Sequence, residues 1–204
     1  MSARIYLEGG GDGKDLKMRC QKGFHNLLKK QTQLEGRLPH LVACGGRERV
    51  YDRFKISHSQ SGSDEYVAML IDSEEPVKDI EKTWSHLKER DGWKRPKGAK
   101  DDQVLFMTTC METWIITDRD ALRSHYRSDC LQLSSLPALD NIENRSRHDV
   151  QGGLENATRN CVNTYKKGKR SFEILGKLAP DTLRQYLPSF VRVCEVLNRK
   201  LLKQ

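Results

Sequence analysis

Glu8, Asp72 and Glu74 are the residues whose types and surroundings point most directly to chemistry. Glu8 ends the run Arg4-Ile5-Tyr6-Leu7 and opens into Gly9-Gly10-Gly11. Asp72 and Glu74 follow the apolar run Tyr66-Val67-Ala68-Met69-Leu70-Ile71, and two residues apart in extended chain they point to the same side. If the three meet, each like-charged pair at ~4 Å costs about 4 kcal/mol at an effective dielectric near 20. Such a cluster needs raised pKa values or a hard divalent cation, and carboxylates plus water are the ligands Mg²⁺ takes. A metal held there activates water and stabilises both oxygens of a phosphoryl in-line displacement. The competing reading makes Glu8 a helix cap and Asp72-Ser73-Glu74-Glu75 the first turn of a helix entered at Pro76, where acids complement the dipole.

Positioning these acids falls to strands that alternate with helices. Strands are expected at Arg4–Glu8, Leu41–Cys44, Tyr66–Ile71 and Val104–Met107. Between them, Leu16, Cys20, Phe24, Leu27 and Leu28 mark one helix, Arg47 to Lys55 a second, and Val77, Ile80, Trp84 and Leu87 a third. Ser57 to Asp64 and Asp91 to Asp102 read as loops; Met111 to Thr117 is either a helix start or another apolar segment. Asp118 caps a further helix, residues 131–153 read as loop, and Leu154 to Tyr165, Phe172 to Leu175 and a last segment from Pro188 read as helical. The alternation predicts a three-layer, mostly parallel α/β sheet over residues 1–130, with residues 131–204 a loop and basic helical extension packed on it. Ligands bind at the carboxyl ends of such strands, where Glu8 and Asp72 stand. The glycine-rich turn is neither a Walker loop, since Asp15 follows Lys14, nor a dinucleotide fingerprint, since Lys14 holds the place of the last glycine.

Charge separates along the 204 residues. The net +8 divides into +5, 0, −4 and +7 over residues 1–50, 51–100, 101–150 and 151–204. The densest run, Lys166-Lys167-Gly168-Lys169-Arg170, is either an ordinary basic surface or a face for the phosphates of a polyanion. Lys14 is either a phosphate neutraliser or a solvated lysine at a helix start. Six cysteines stand singly, which excludes zinc-ribbon and CxxC sites and reads as six buried thiols. The six histidines show no ligand spacing; a Cys–His nucleophile pair is left open. No run approaches the ~20 apolar residues of a membrane span. The first residues enter a strand without a signal-peptide pattern, so a cytoplasmic protein is expected.

Leu7-Glu8-Gly9-Gly10 and Leu70-Ile71-Asp72-Ser73-Glu74 resemble the two acidic motifs of the Toprim domain, shared by topoisomerases, bacterial primases, overcoming-lysogenisation-defect nucleases and a ribosomal-RNA maturation nuclease. The second departs from the usual DxD: Glu74 keeps the charge on a longer arm. With Cys110-Met111-Glu112-Thr113-Trp114 and Lys169-Arg170-Ser171-Phe172-Glu173-Ile174-Leu175, the chain more closely resembles an uncharacterised bacterial domain-of-unknown-function family of small Toprim-like proteins often encoded beside an ABC-type ATPase. The resemblance implies a Toprim-like (Rossmann-like) fold and a two-gene, phage-defence type of system. It implies that Glu8 does acid–base work and that Asp72 and Glu74 hold Mg²⁺ or Mn²⁺, Glu75 being able to substitute. Glu112 is either a further ligand or a structural acid. Two functions stay open: a metal-dependent nuclease on DNA or RNA working with the ATPase, and a non-catalytic subunit, possible as an oligomer, that binds the ATPase or nucleic acid.

Overall fold

The run Tyr66–Ile71 offers no polar side chain to water, so it can be a strand only where both faces are covered. In the computed structural model, which describes residues 2–34, 36–62, 64–126 and 129–202, it lies inside the sheet. The strands are β1 (Ser2–Glu8), β2 (His40–Gly45), β3 (Glu65–Asp72) and β4 (Val104–Met107). They pair in parallel in the order β2-β1-β3-β4. Strand alternation divides the interior in two: Ile5, Leu7, Ala68 and Leu70 enter one core, Tyr6, Val67, Met69 and Ile71 the other.

Helix α1 (Lys14–Lys29) covers the first face with Cys20, Phe24 and Leu27. Helices α2 (Arg47–Gln60) and α3 (Thr83–Asp91) cover the second with Val50, Phe54, Trp84 and Leu87. This is a three-layer α/β, Rossmann-like fold. The later helices, α4 (Met111–Thr117), α5 (Arg119–Tyr126), α6 (Arg147–Ala157), α7 (Lys169–Leu175), α8 (Pro180–Tyr186) and α9 (Pro188–Leu201), all add side chains to the first core. Trp114 of α4 joins them, meeting Phe24 and Phe190 edge-on at centroid distances of 6.5 and 5.0 Å. Among the described residues no helix is long and apolar enough to cross a membrane.

Several elements depart from the sequence pattern, each through a contact distant in the chain. Helix α2 runs on through Gln60 instead of stopping near Lys55, with His58 stacked on Phe54 at 5.5 Å; Ser63, in the expected loop, lies outside the described residues. The helix expected from Pro76 begins only at Thr83, because Asp101 Oδ1 accepts from Trp84 N (2.9 Å) and so caps it there. Val77 and Ile80 therefore pack as partly buried loop residues. Helix α6 occupies part of the expected 131–153 loop, started by Ser146 Oγ accepting from Asp149 N (3.1 Å), and ends at Ala157 rather than Tyr165. Helix α8 was not expected. Four cysteines are buried thiols as expected, but Cys130 and Cys161 form a disulfide. Their separation of 31 residues carries no local signature, and only the packing of the α5 end against the turn after α6 brings them together.

Candidate functional site

The chain leaves β1 for β2 on one side of it and returns to β3 on the other, so the topological switch point lies between the carboxyl ends of β1 and β3. Glu8 and Asp72 stand there. The β1–β2 register shifts between Leu7 and Glu8, with Cys44 the extra residue on β2 as the strands end. Beyond it, Gly9 and Gly45 exchange backbone hydrogen bonds of 2.8 and 2.9 Å. Gly45 has φ +89°, and a Cβ there would sit 2.5 Å from the Gly11 carbonyl oxygen, so only glycine lets the two turns close over the site.

One carboxylate oxygen each from Glu8, Asp72 and Glu74 lies within 4.8 Å of the others. The convergence expected from sequence is present, but its cause differs. Asp72 has the parity of Leu70 and Glu8 that of Tyr6, so their side chains leave opposite faces and meet over the strand ends. Glu74 is in the left-handed region at φ 68°, so strand alternation does not place it. Its N–H donates to the carbonyl of Thr109 (2.9 Å), itself left-handed at φ 62°, whose N–H donates to Ser73 Oγ (2.7 Å). Two non-glycine residues in this costly region at one strand-end junction mark backbone strain held by the surrounding fold.

Asp72 is 3% exposed. Its Oδ1 accepts from Met111 N (2.8 Å), and its own N–H donates to Glu8 Oε2 (3.2 Å). Burial, reinforced by the Glu8 charge, pushes its carboxyl up to about 7 against the pull of Lys167. Burial likewise raises Glu8, opposed by Arg47. Four cations that the sequence reading did not assign to the acids, or did not place beside them, face the cluster. Arg47 Nη1 lies 3.4 Å from Glu8 Oε2, and its Nε and Nη2 hold Asp91 at 3.1 and 2.7 Å. Arg147 pairs with Glu74, with Arg90 at 4.0 Å from the same oxygen. Lys167 Nζ is 3.5 Å from Asp72 Oδ2. Desolvation depresses Lys167, but Asp72 and Glu112 outweigh it and raise its pKa. Arg47 was legible in principle: it follows Gly45-Gly46 at the carboxyl end of the strand beside β1. Arg147 had no such signal.

The other expected residues are distributed unevenly. Glu112 is fully buried, accepting from Tyr165 Oη (2.7 Å) and Gln151 Nε2 (3.2 Å), and is not one of the three converging acids. Glu75 is exposed and also outside that group. A hollow of about 340 Å³ is walled by Gly9, Gly10, Gly45, Glu8, Asp72 and Lys167. A second, about 600 Å³, is lined by Lys166, Lys167, Lys169 and Arg170. Arg170 braces its own loop through Thr164 O and Asn163 Oδ1, each at 2.6 Å. Lys14 is exposed in the first turn of α1 and lines neither hollow. Burial pushes the Cys20 thiol up to about 12 and Cys110 well above its usual value, which makes both poor nucleophiles.

Three carboxylates, partly desolvated and close enough to share one ion, are a donor set of hard oxygens that fits Mg²⁺ or Mn²⁺. The profile of one family, the domain of unknown function DUF4276, matches residues 7–198. No curated protein and no solved structure matches the chain.

Proposed function

The chain belongs to the DUF4276 family, and on that footing we propose that it is a divalent-metal-dependent, Toprim-like nuclease cleaving phosphodiester bonds in DNA or RNA. The observation that carries this is the meeting of Glu8, Asp72 and Glu74 within 4.8 Å at the switch point of the sheet. Asp72 and Glu74 would hold the ion. When bound, it supplies positive charge to the phosphoryl oxygens and a more acidic water. Burial raises the Glu8 carboxyl, which favours it as a proton carrier. Both of its hydrogen bonds fall on Oε2, which leaves Oε1 to deliver a proton to the departing oxygen. Lys166, Lys167 and Lys169 present charge to the phosphates on either side of the cleaved bond. The glycine walls let the backbone approach the nucleic acid closely. A cytoplasmic setting belongs to the same proposal, as does an ABC-type ATPase partner, the latter on the sequence resemblance alone.

A second reading has one observation in its favour. Arg47, Arg147, Arg90 and Lys167 already face the three acids, so the cluster is charge-compensated without a metal. A non-catalytic subunit that binds the ATPase or nucleic acid would keep such a network as structure. The test is incubation of the purified protein, alone and with the ATPase, with Mg²⁺ or Mn²⁺ and mixed DNA and RNA. Cleavage lost in Glu8→Gln and Asp72→Asn supports the nuclease. No cleavage under any condition, together with partner binding that survives both substitutions, establishes the second reading instead.

A further inference from the structure

The cations around the acids are not equally committed. The Arg47 side chain is 12% exposed, grips both oxygens of Asp91 and lies over the Trp93 ring at 5.0 Å. Moving it would strip Asp91, 9% exposed, of two charge-assisted hydrogen bonds and leave it with Arg90 alone. The Lys167 side chain is 51% exposed, and its ammonium meets Asp72 at 3.5 Å, longer than a charge-assisted hydrogen bond. The Lys167 end of this pair is open to water while Asp72 is buried, so the ammonium can leave at little cost once another cation takes its place beside Asp72.

The backbone on either side of Lys167 is, by contrast, pinned. Tyr165 Oη donates to buried Glu112 and lies 2.8 Å from Ser171 Oγ, which accepts from Gly168 N at 3.0 Å. Gly168 itself has φ +130°, open only to glycine. The side chain can therefore swing while its root stays in place. Lys167 is also a wall of both hollows, the acidic one beside Asp72 and the basic one with Lys166 and Lys169.

We infer that Lys167 is a stand-in cation whose displacement couples metal binding to nucleic-acid binding. In the metal-free protein its ammonium balances Asp72. A divalent ion beside Asp72 repels that ammonium, which turns into the basic hollow and there takes a backbone phosphate of the nucleic acid. Each ligand then strengthens the other by the same factor, as linkage requires. Glu112, through Tyr165 and Ser171, is a positioning residue for this loop rather than a ligand of the ion. The inference rests on the nuclease reading for its metal.

Mn²⁺ titrations followed by the electron paramagnetic resonance of the free ion test it, on the wild type, Lys167→Met and Lys166→Met, with and without an uncleavable phosphorothioate oligodeoxythymidine. The oligonucleotide should tighten Mn²⁺ binding to the wild type by about fivefold or more, the usual lower range of such coupling. Lys167→Met should bind Mn²⁺ tighter without oligonucleotide by a similar factor and show no further gain when it is added. Lys166→Met removes the same charge one residue away; it should weaken oligonucleotide binding itself, yet with oligonucleotide saturating should keep the tightening of Mn²⁺. If Asp72→Asn abolishes Mn²⁺ binding but Lys167→Met and wild type behave alike, the inference fails and the metal site stands. Equal effects of the two lysine substitutions reduce it to net charge and overturn it. If the wild type shows no Asp72-dependent Mn²⁺ binding, the metal reading falls and takes this coupling with it.

Discussion

Replacing Asp72 by Asn should make the metal-free protein more stable while removing its metal site. Moving a buried carboxyl from 3.8 to about 7 disfavours its ionised form by about 4 kcal/mol at high pH. The amide keeps the shape, keeps an oxygen for Met111 N, and turns an N–H₂ toward Glu8 and Glu74 oxygens that lie within 4.8 Å. Lys167 loses its partner, a small loss for a half-exposed side chain. Because the site opens into a hollow that water reaches, about half the penalty, on the order of 2 kcal/mol, should be recovered. At this chain length that raises Tm by roughly 4–8 °C. The sign with pH follows from proton counting. Between about 3.8 and about 7 the native state holds a proton on Asp72 that the unfolded chain has lost, so wild-type stability falls as pH rises through that window and levels off above it. Thermal melts by circular dichroism in chelator, at about pH 5 and about pH 8, should show a clearly larger advantage for the variant at the higher pH, since at the lower one only about a third of the penalty is incurred. Adding Mg²⁺ should raise the Tm of the wild type alone. A variant less stable than wild type at the higher pH, or an advantage independent of pH, would refute the picture of a strained, desolvated acid kept for binding.

Arg47→Ala leaves Asp91 with Arg90 alone, two charge-assisted hydrogen bonds poorer, and removes the cation facing Glu8; urea titrations should show a loss of about 1.5–3 kcal/mol, and a loss under ~1 kcal/mol would mean Arg47 does not organise the site. Gly23→Ala improves helix propensity by about 1 kcal/mol, yet its Cβ would stand 2.6 Å from the Phe172 carbonyl oxygen. The clash between α1 and α7 should win, with a net lowering of Tm, whereas an unchanged or higher Tm would show that the two helices can part freely. Air-purified protein in denaturant without reductant should titrate four thiols per chain with Ellman's reagent, and six would remove the Cys130–Cys161 bond. In the native state near neutral pH those thiols should stay silent, since burial lifts Cys20 to about 12 and Cys194 to about 11.

Local pattern in the chain was enough for the elements that carry a complete signal of their own. The unbroken apolar run before Asp72 can only be a covered strand, the spacing from Leu16 to Leu28 can only be a one-faced helix, and an acid closing each of two strands sets both acids at one edge of a parallel sheet. Where the signal was missing, so was the reading. Met111 to Thr117 is buried all round, so its helix has no polar face to give a period. Thr83 starts its helix only because Asp101, across the fold, caps it. The tertiary structure alone decided which acids meet: the order of four strands and a left-handed turn at Glu74 bring Glu8, Asp72 and Glu74 together and leave Glu112 elsewhere. It alone brought Arg147 and Lys167 to them, because charges find partners by proximity in space, which spacing along a chain does not encode.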